Sequence, residues 1–184
     1  AITEKFFGQQ YDIHGGALDL KFPHHEAEIA QQEAASGKSP LVKIWMHAGF
    51  LLINGEKMSK SKGNFLTIGD FLQKHSANTL RYLVLSHHYR SPINYTEELA
   101  QQTENSLASL REFKAKLNLV KQKGNPSLRS GLILLEAGKI RVKIVQNLLA
   151  VDLEKMNTDF HIAMQDDFNT PSALAAIFTL INKY

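Results

Sequence analysis

Residues 54–64 combine three lysines, two serines and two glycines between an apolar run and the start of a helical pattern. With one glutamate, the segment carries a net charge of +2. Its glycines allow backbone N–H groups to approach an anion, and its lysines supply the opposite charge. We predict a phosphate-handling loop, the alternative being a solvated basic loop. In either case, the ordered elements on both sides have to hold it.

The residues before this loop alternate between strand and helix patterns. Residues 11–16 predict a short strand that ends in a glycine turn, and residues 44–47 and 50–53 are apolar runs typical of strands. Residues 22–35 predict a helix, with proline in the first turn, acidic residues early and Gly37 after the end. Strand, helix and strand in this order predict a βαβ unit with a parallel sheet.

The residues after the loop show helical patterns. Residues 67–70 resemble an N-capping arrangement, Ser76 is a candidate cap for the next helix, and a long helix is expected from Thr96. Its inward positions recur every three or four residues and predict one buried stripe of Leu99, Thr103, Leu107, Leu110, Phe113, Leu117 and Val120.

The remainder of the chain is predicted to be helical as well. Residues 124–127 are the best linker candidate, because glycine and proline interrupt the pattern there. Residues 128–149 predict a further amphipathic helix. Thr170 is expected to cap a final helix whose first turn contains Pro171.

The composition indicates a folded chain without a membrane segment. Of the 184 residues, 43% are hydrophobic, enough for one domain with a core or for a partial domain with an appendage. A net charge of +3 permits a polyanionic partner, and the lack of cysteine excludes thiolate metal sites made by this chain alone. No apolar run approaches the ~20 residues that span a bilayer, and we expect a cytoplasmic protein. Ala1 and the uncapped helical pattern ending at Tyr184 predict a fragment.

His24 and Glu28 lie four residues apart at the start of the first predicted helix. This spacing places both side chains on one helix face, about one turn apart, where they could share a metal ion. The alternative is an ordinary solvated helix face.

Two motifs carry a resemblance to a known family. Residues 57–61 read Lys-Met-Ser-Lys-Ser and match the signature loop of class I aminoacyl-tRNA synthetases letter for letter, and residues 62–64 continue as in that family. Residues 12–16, Asp19, and residues 22–28 resemble the zinc and nucleotide region of cysteinyl-tRNA synthetases.

The resemblance covers nearly the whole chain. It continues through residues 45–49, 88–93 and 163–171. The sequence departs from it at Ala17 and Ala27, where glycine and asparagine are usual in bacterial members. Neither departure removes a residue to which the resemblance assigns a ligand contact.

The resemblance implies an α/β fold, the C-terminal half of a Rossmann-like class I catalytic domain, followed by an α-helical domain. The implied domains are residues 1–95, with the zinc-ligand helix and the signature loop, and residues 96–184, which contact tRNA. The implied activity is that of a cysteine–tRNA ligase, which uses ATP with Mg²⁺ to activate cysteine and transfers it to tRNA(Cys). The family also holds one Zn²⁺ ion per protein, and the upstream half of its active site is missing from this chain.

The resemblance assigns roles to nine residues. Lys60 and Lys57 are the implied catalytic residues, and the ATP-binding residues are Lys60, Lys57, Ser59, Ser61, Asp19 and Gly16. His14 is expected to face the amino-acid pocket, and His24 and Glu28 are the implied zinc ligands. His25 and Glu26 are left unassigned, whereas His47, His75, His87, His88, His161 and Trp45 are interpreted as structural.

Two other functions remain open at this stage. The ligase that joins cysteine to an amino-sugar in thiol biosynthesis shares both motifs, although the long helical tail favours the synthetase. The chain could also be a non-catalytic synthetase fragment that binds a partner through its helices.

Overall fold

The computed structural model describes residues 2–59, 63–122 and 138–184, and it describes their side chains except at 119–122 and 138–148. The chain forms two compact units. The first contains residues 1–67 and 89–96, and the second contains residues 68–88 and 97–184. The predicted division into 1–95 and 96–184 stays a prediction.

The first unit begins with a short helix, α1 (Ile2–Phe7), and a strand, β1 (Tyr11–Ala17). After a helical turn, α2 (Glu26–Ser36) leads to β2 (Val42–Ala48), which pairs in parallel with β1. The predicted βαβ unit is therefore present. Its buried contacts include Leu41 and Val42, where the chain enters β2.

Two local predictions in this unit were wrong. The glycine pair 15–16 lies inside β1 rather than in a turn, and the chain turns only at Leu18–Leu20. The first helix begins at Glu26 and not at Phe22, because residues Lys21–His25 form a wider turn in which Phe22 is extended, with φ −134° and ψ 132°. Proline disfavours a helical conformation at the residue before it, which explains the late start. Gly37 ends the helix in the left-handed region, as predicted.

A second, three-stranded sheet completes the first unit. A hairpin joins β3 (Leu51–Ile53) to β4 (Glu56–Lys57), and β5 (Ile93–Tyr95) pairs in parallel with the other edge of β3. Gly49 lies against the chain that enters β5, where a Cβ atom would stand 2.3 Å from the carbonyl oxygen of Ser91. Only glycine permits this approach.

The second unit is helical in its described residues. It contains α3 (Ile68–Lys74), α4 (Ala77–Leu85), α5 (Glu97–Gln122), α6 (Gly138–Gln165) and α7 (Thr170–Ile181). Helix α4 packs on α5, and α7 packs along α6. Phe71, Leu83, Ala100, Ala173 and Leu180 are among the buried apolar residues. The predicted linker at 124–127 and the start of the predicted helix 128–149 lie outside the described residues.

The helix caps were predicted with mixed success. The Ser76 hydroxyl accepts the N–H of Thr79 at the start of α4, as predicted. The cap of α7 is Asn169 and not Thr170, because the Asn169 side chain accepts the N–H of Ser172. The Thr170 hydroxyl instead donates to the carbonyl oxygen of His87 at 3.3 Å. No helix in the described residues is long and apolar enough to cross a membrane.

Candidate active site

The parallel pairing of β1 with β2 brings four residues to one face of the sheet: His14, Gly16, Trp45 and His47. His14 lies opposite Trp45, and Gly16 lies opposite His47. Since side chains two residues apart share a face, all four positions point the same way. The turn before α2 places His25 over this face. A Cβ at Gly16 would stand 2.8 Å from Cε1 of His25, so a larger residue at that position would have to displace the His25 ring.

Three imidazoles and one indole pack closely on this face. The His25 ring centroid lies 4.7 Å from that of His14 and 5.0 Å from those of Trp45 and His47. His25 Nδ1 is hydrogen-bonded to His47 Nε2 at 2.8 Å, and only 5% of His25 is exposed. Burial lowers the pKa of the His25 imidazole, and the nearby imidazole of His14 lowers it further. The ring is therefore neutral at physiological pH.

His14 connects this cluster to Glu28 in α2. Its Nδ1 is hydrogen-bonded to the Tyr11 hydroxyl at 2.6 Å, and its Nε2 lies 3.4 Å from Oε2 of Glu28. Burial and the negative charge of Glu28 raise the pKa of Tyr11. Oε2 of Glu28 is itself buried and accepts no hydrogen bond within the described part of the chain. The nitrogen of His14 at 3.4 Å makes no hydrogen bond to this oxygen, so the atom is suited to a ligand.

The donor set around Glu28 is compatible with zinc. One ligand atom each from His14, His25 and Glu28 lie within 4.8 Å of one another, the one such group in the described residues. Imidazole nitrogen and carboxylate oxygen are zinc ligands in proteins, and neutral imidazole is the form that binds. His24, the predicted ligand, is exposed and lies outside this group.

Residues 54–64, called the lysine-rich loop below, begin in the hairpin of the second sheet. Asn54 and Gly55 form its turn with φ values of 50° and 83°, and Asn94 Oδ1 accepts the Gly55 N–H at 2.6 Å. Beyond the turn, Lys57 Nζ lies 3.3 Å from Oδ2 of Asp19 and 4.3 Å from the centroid of the Phe50 ring. Two predicted ATP-binding residues, Lys57 and Asp19, are thus in contact.

The structure groups the predicted site residues unevenly. His14 meets Glu28, Lys57 meets Asp19, Gly16 supports His25, and Ser59 lies at the start of the loop. Lys60 and Ser61 lie outside the described residues. Sequence reasoning left His25 unassigned and treated His47 and Trp45 as structural. Their alternation along β2 was visible, but their partners depend on a strand register that the sequence does not state.

Comparison with known proteins agrees with this architecture. Residues 1–105 match the family model described as tRNA synthetases class I (C) catalytic domain, and residues 159–184 match the DALR domain. A crystal structure of the LeuRS–tRNA–LeuAMS ternary complex of Agrobacterium radiobacter K84 has a TM-score of 0.66 at 18% identity, covering 94% of this chain and 22% of that one. The fold is therefore that of a class I synthetase. The chain belongs to the class I (C) tRNA synthetase catalytic domain family.

Proteins named cysteine–tRNA ligase are similar in sequence to this chain over nearly its whole length. The one from Thermococcus onnurineus is 41% identical over 98% of this chain, and that from Legionella pneumophila strain Corby is 43% identical over all of it. One from Bacillus thuringiensis is 41% identical over 99%. The chain spans about a third of the length of these relatives, 35%, 34% and 36% respectively.

Proposed function

We propose that this chain is part of a cysteine–tRNA ligase. A ligase of the length of the relatives that contains this chain is called the full-length enzyme below. The observation that carries the proposal is that one unit holds both an imidazole–carboxylate group, formed by the buried His25 with the partly exposed His14 and Glu28, and the lysine-rich loop. Relatives with that name, matching nearly the whole chain, support it.

The proposed reaction has two steps. A carboxylate oxygen of cysteine attacks the α-phosphorus of ATP, the bond from this phosphorus to the bridging oxygen breaks, and pyrophosphate leaves with Mg²⁺. A hydroxyl at the 3′ end of tRNA(Cys) then attacks the acyl carbon, and AMP leaves. Negative charge shifts onto phosphate oxygens in the first step, and preorganised cations stabilise that charge.

The lysine-rich loop supplies the groups that face the phosphates in this proposal. Lys57 and Lys60 act as the cations, and Ser59 and Ser61 add neutral donors. Asp19 accepts hydrogen bonds from the ribose, and Gly16 contacts the nucleotide through its backbone. Lys57 and Asp19 are both about half exposed, so their mutual ion pair is weak and gives way to ATP at little cost.

The imidazole–carboxylate group belongs to the amino-acid side of the site. His14 faces the amino-acid pocket, and Glu28 and His24 are the zinc ligands from this chain. When bound, zinc supplies a soft Lewis acid that prefers a thiolate to a hydroxyl, which separates cysteine from serine. The buried, unsatisfied oxygen of Glu28 supports its role as a ligand.

The helical unit is proposed to contact tRNA. The match of residues 159–184 to the DALR domain, an anticodon-binding domain, supports RNA as the acceptor over an amino-sugar.

The test is a competition between acceptors. The full-length enzyme is incubated with labelled cysteine, ATP, tRNA and an amino-sugar acceptor, and we expect label only in RNA. Label in the sugar conjugate alone would identify the thiol-biosynthesis ligase. The absence of cysteine-dependent pyrophosphate exchange would leave a non-catalytic fragment as the better interpretation.

A further inference from the structure

The backbone around Met58 is bonded on both of its edges. On one side, the Met58 N–H donates to the carbonyl oxygen of Leu51 in β3, at 3.4 Å. On the other, the side-chain amide of Asn64 makes two bonds: its Nδ2 donates to the carbonyl oxygen of Lys57 at 3.2 Å, and its Oδ1 accepts the N–H of Ser59 at 2.9 Å. The described start of the loop is therefore tied down from two directions.

The two bonds of Asn64 imitate a strand. In an extended chain, the C=O of one residue and the N–H of the residue two positions later point to the same edge, where one residue of a parallel strand would bond to both. The Asn64 amide occupies that place. Gly63, with φ +68°, gives the chain the left-handed turn just before Asn64.

From this geometry we propose that Asn64 is a positioning residue for adenylate formation: its amide fixes the backbone of Lys57 and Ser59 so that their side chains meet the phosphates. The proposal rests on the proposed function. The ion pair of Lys57 with Asp19 is too exposed to fix the lysine, with 58% and 50% of the two side chains accessible. The backbone bonds made by Asn64 instead set the point from which the Lys57 side chain extends.

The Asn64 amide makes one bond through its N–H and the other through its oxygen. A carboxylate has no N–H for the carbonyl oxygen of Lys57, and an apolar side chain satisfies neither backbone group. Asn64→Ala should therefore lose both bonds. Asn64→Asp should lose the bond to the carbonyl oxygen of Lys57, although it retains an acceptor for the N–H of Ser59.

Asn94→Ala is the matched control. Asn94 also uses its side-chain amide to hold this hairpin, but it bonds to Gly55 in the turn and not to the loop beyond Lys57. Both alanine variants lose backbone contacts in the same hairpin, so a general loosening of the sheet would affect them equally.

The experiment measures cysteine-dependent pyrophosphate exchange and amide hydrogen exchange in the full-length enzyme. For Asn64→Ala we expect the kcat of exchange to fall by about 10- to 100-fold, since small misplacements of catalytic groups have effects of this size. The KM for ATP should change by less than about threefold, because the misplaced side chains would weaken binding of the transition state more than binding of ATP. The Ser59 amide should exchange about tenfold faster. Asn94→Ala should leave kcat within about threefold and keep Ser59 protected.

The other outcomes would contradict either the role of Asn64 or the proposed function. Wild-type kcat in Asn64→Ala, or equal losses in Asn64→Ala and Asn94→Ala, would exclude the positioning role while leaving the ligase proposal intact. An unchanged rate of amide hydrogen exchange at Ser59 in Asn64→Ala would show that the Asn64 side chain does not hold the Ser59 N–H. A wild-type enzyme without cysteine-dependent exchange would overturn the proposed function, and the role of Asn64 in adenylate formation with it.

Discussion

The ammonium of Lys57 lies 3.3 Å from a carboxylate oxygen of Asp19, so two residues expected to bind ATP bind each other. In the proposed function, Asp19 binds the ribose of ATP and Lys57 binds its phosphates. ATP binding in the proposed function therefore exchanges one exposed ion pair for two ligand contacts. Such a pair contributes about 0 to 1 kcal/mol, so its release is a small cost.

Replacing Lys57 should slow chemistry more than it weakens ATP binding. We expect Lys57→Ala in the full-length enzyme to lower the rate of adenylate formation by about 10²- to 10³-fold, as for the loss of one preorganised charge contact. Single-turnover adenylation and equilibrium ATP binding measure the two effects. Lys43→Ala is the matched control, since Lys43 forms a similar exposed pair with Asp12 at 2.8 Å, away from the loop. Equal rates for both variants would remove Lys57 from the catalytic set.

Zinc content should identify the metal ligands. We expect Glu28→Ala and His24→Ala in the full-length enzyme to lose most of the bound zinc, and His25→Ala to retain it, because His24 and Glu28 are the ligands in the proposed function and His25 is not. Metal analysis of the purified variants gives the stoichiometry. Full zinc in His24→Ala together with loss in His25→Ala would instead show that the ligands are the group formed by His14, His25 and Glu28.

His75 should make the stability of the helical unit depend on pH. Its two ring nitrogens lie 2.9 Å from carboxylate oxygens of Glu104 and Glu97, with Lys74 3.8 Å from Glu97. Ionised carboxylates only accept hydrogen bonds, so both ring nitrogens can donate to them only when the ring is an imidazolium. The hydrogen bond to Glu104, followed by that to Glu97, raises the pKa of His75 despite its burial.

The sign of this effect follows from the raised pKa. The stabilisation is complete below the unfolded-state pKa of about 6.5 and is lost as the pH rises through the higher folded-state value. At pH 6, His75→Gln should lower the free energy of unfolding by about 1 to 2 kcal/mol, and the difference should shrink at alkaline pH. Urea titrations of the chain followed by far-UV circular dichroism measure it. His161→Gln, at an exposed position of α6, should show no such trend, and a constant deficit for His75→Gln would contradict the prediction.

The two glycines of β1 should tolerate alanine differently. At Gly16 an added Cβ would clash with His25 at 2.8 Å, whereas at Gly15 the nearest atom is the carbonyl oxygen of Met46 at 3.7 Å. Gly16→Ala should lower the free energy of unfolding by about 1 to 3 kcal/mol through overpacking. Gly15→Ala should change it by less than about 1 kcal/mol. Fluorescence of Trp45, the single tryptophan and a neighbour of His25, reports the unfolding. Equal losses of unfolding free energy in the two variants would show that the His25 ring moves aside at no cost.

Local chemistry explains which parts of the fold were predictable. Gly37 and Ser76 were assigned correctly because a left-handed C-cap and a hydroxyl N-cap depend on neighbours within a few residues. The cap of α7 was misplaced by one residue because Asn169 and Thr170 both carry cap-forming side chains. Only the bond from the Ser172 N–H to Asn169 distinguishes them.

The site was less predictable, since it depends on contacts between distant segments. The spacing of His24 and Glu28 suggested that they share one helix face, but residues Lys21–His25 form a wider turn, with His25 buried and His24 exposed. The contact of Lys57 with Asp19 joins residues 38 positions apart, and periodicity carries no information about such a pair.

The second sheet of the first unit is closed by β5, which the chain reaches only after residues 68–88 of the other unit. No single cut can therefore separate the two units. A polypeptide ending at Thr67 would lack the strand that pairs with β3, together with the Asn94 amide that holds the Gly55 turn. Separating the two units, or exchanging either of them between proteins, would need junctions after residues 67, 88 and 96.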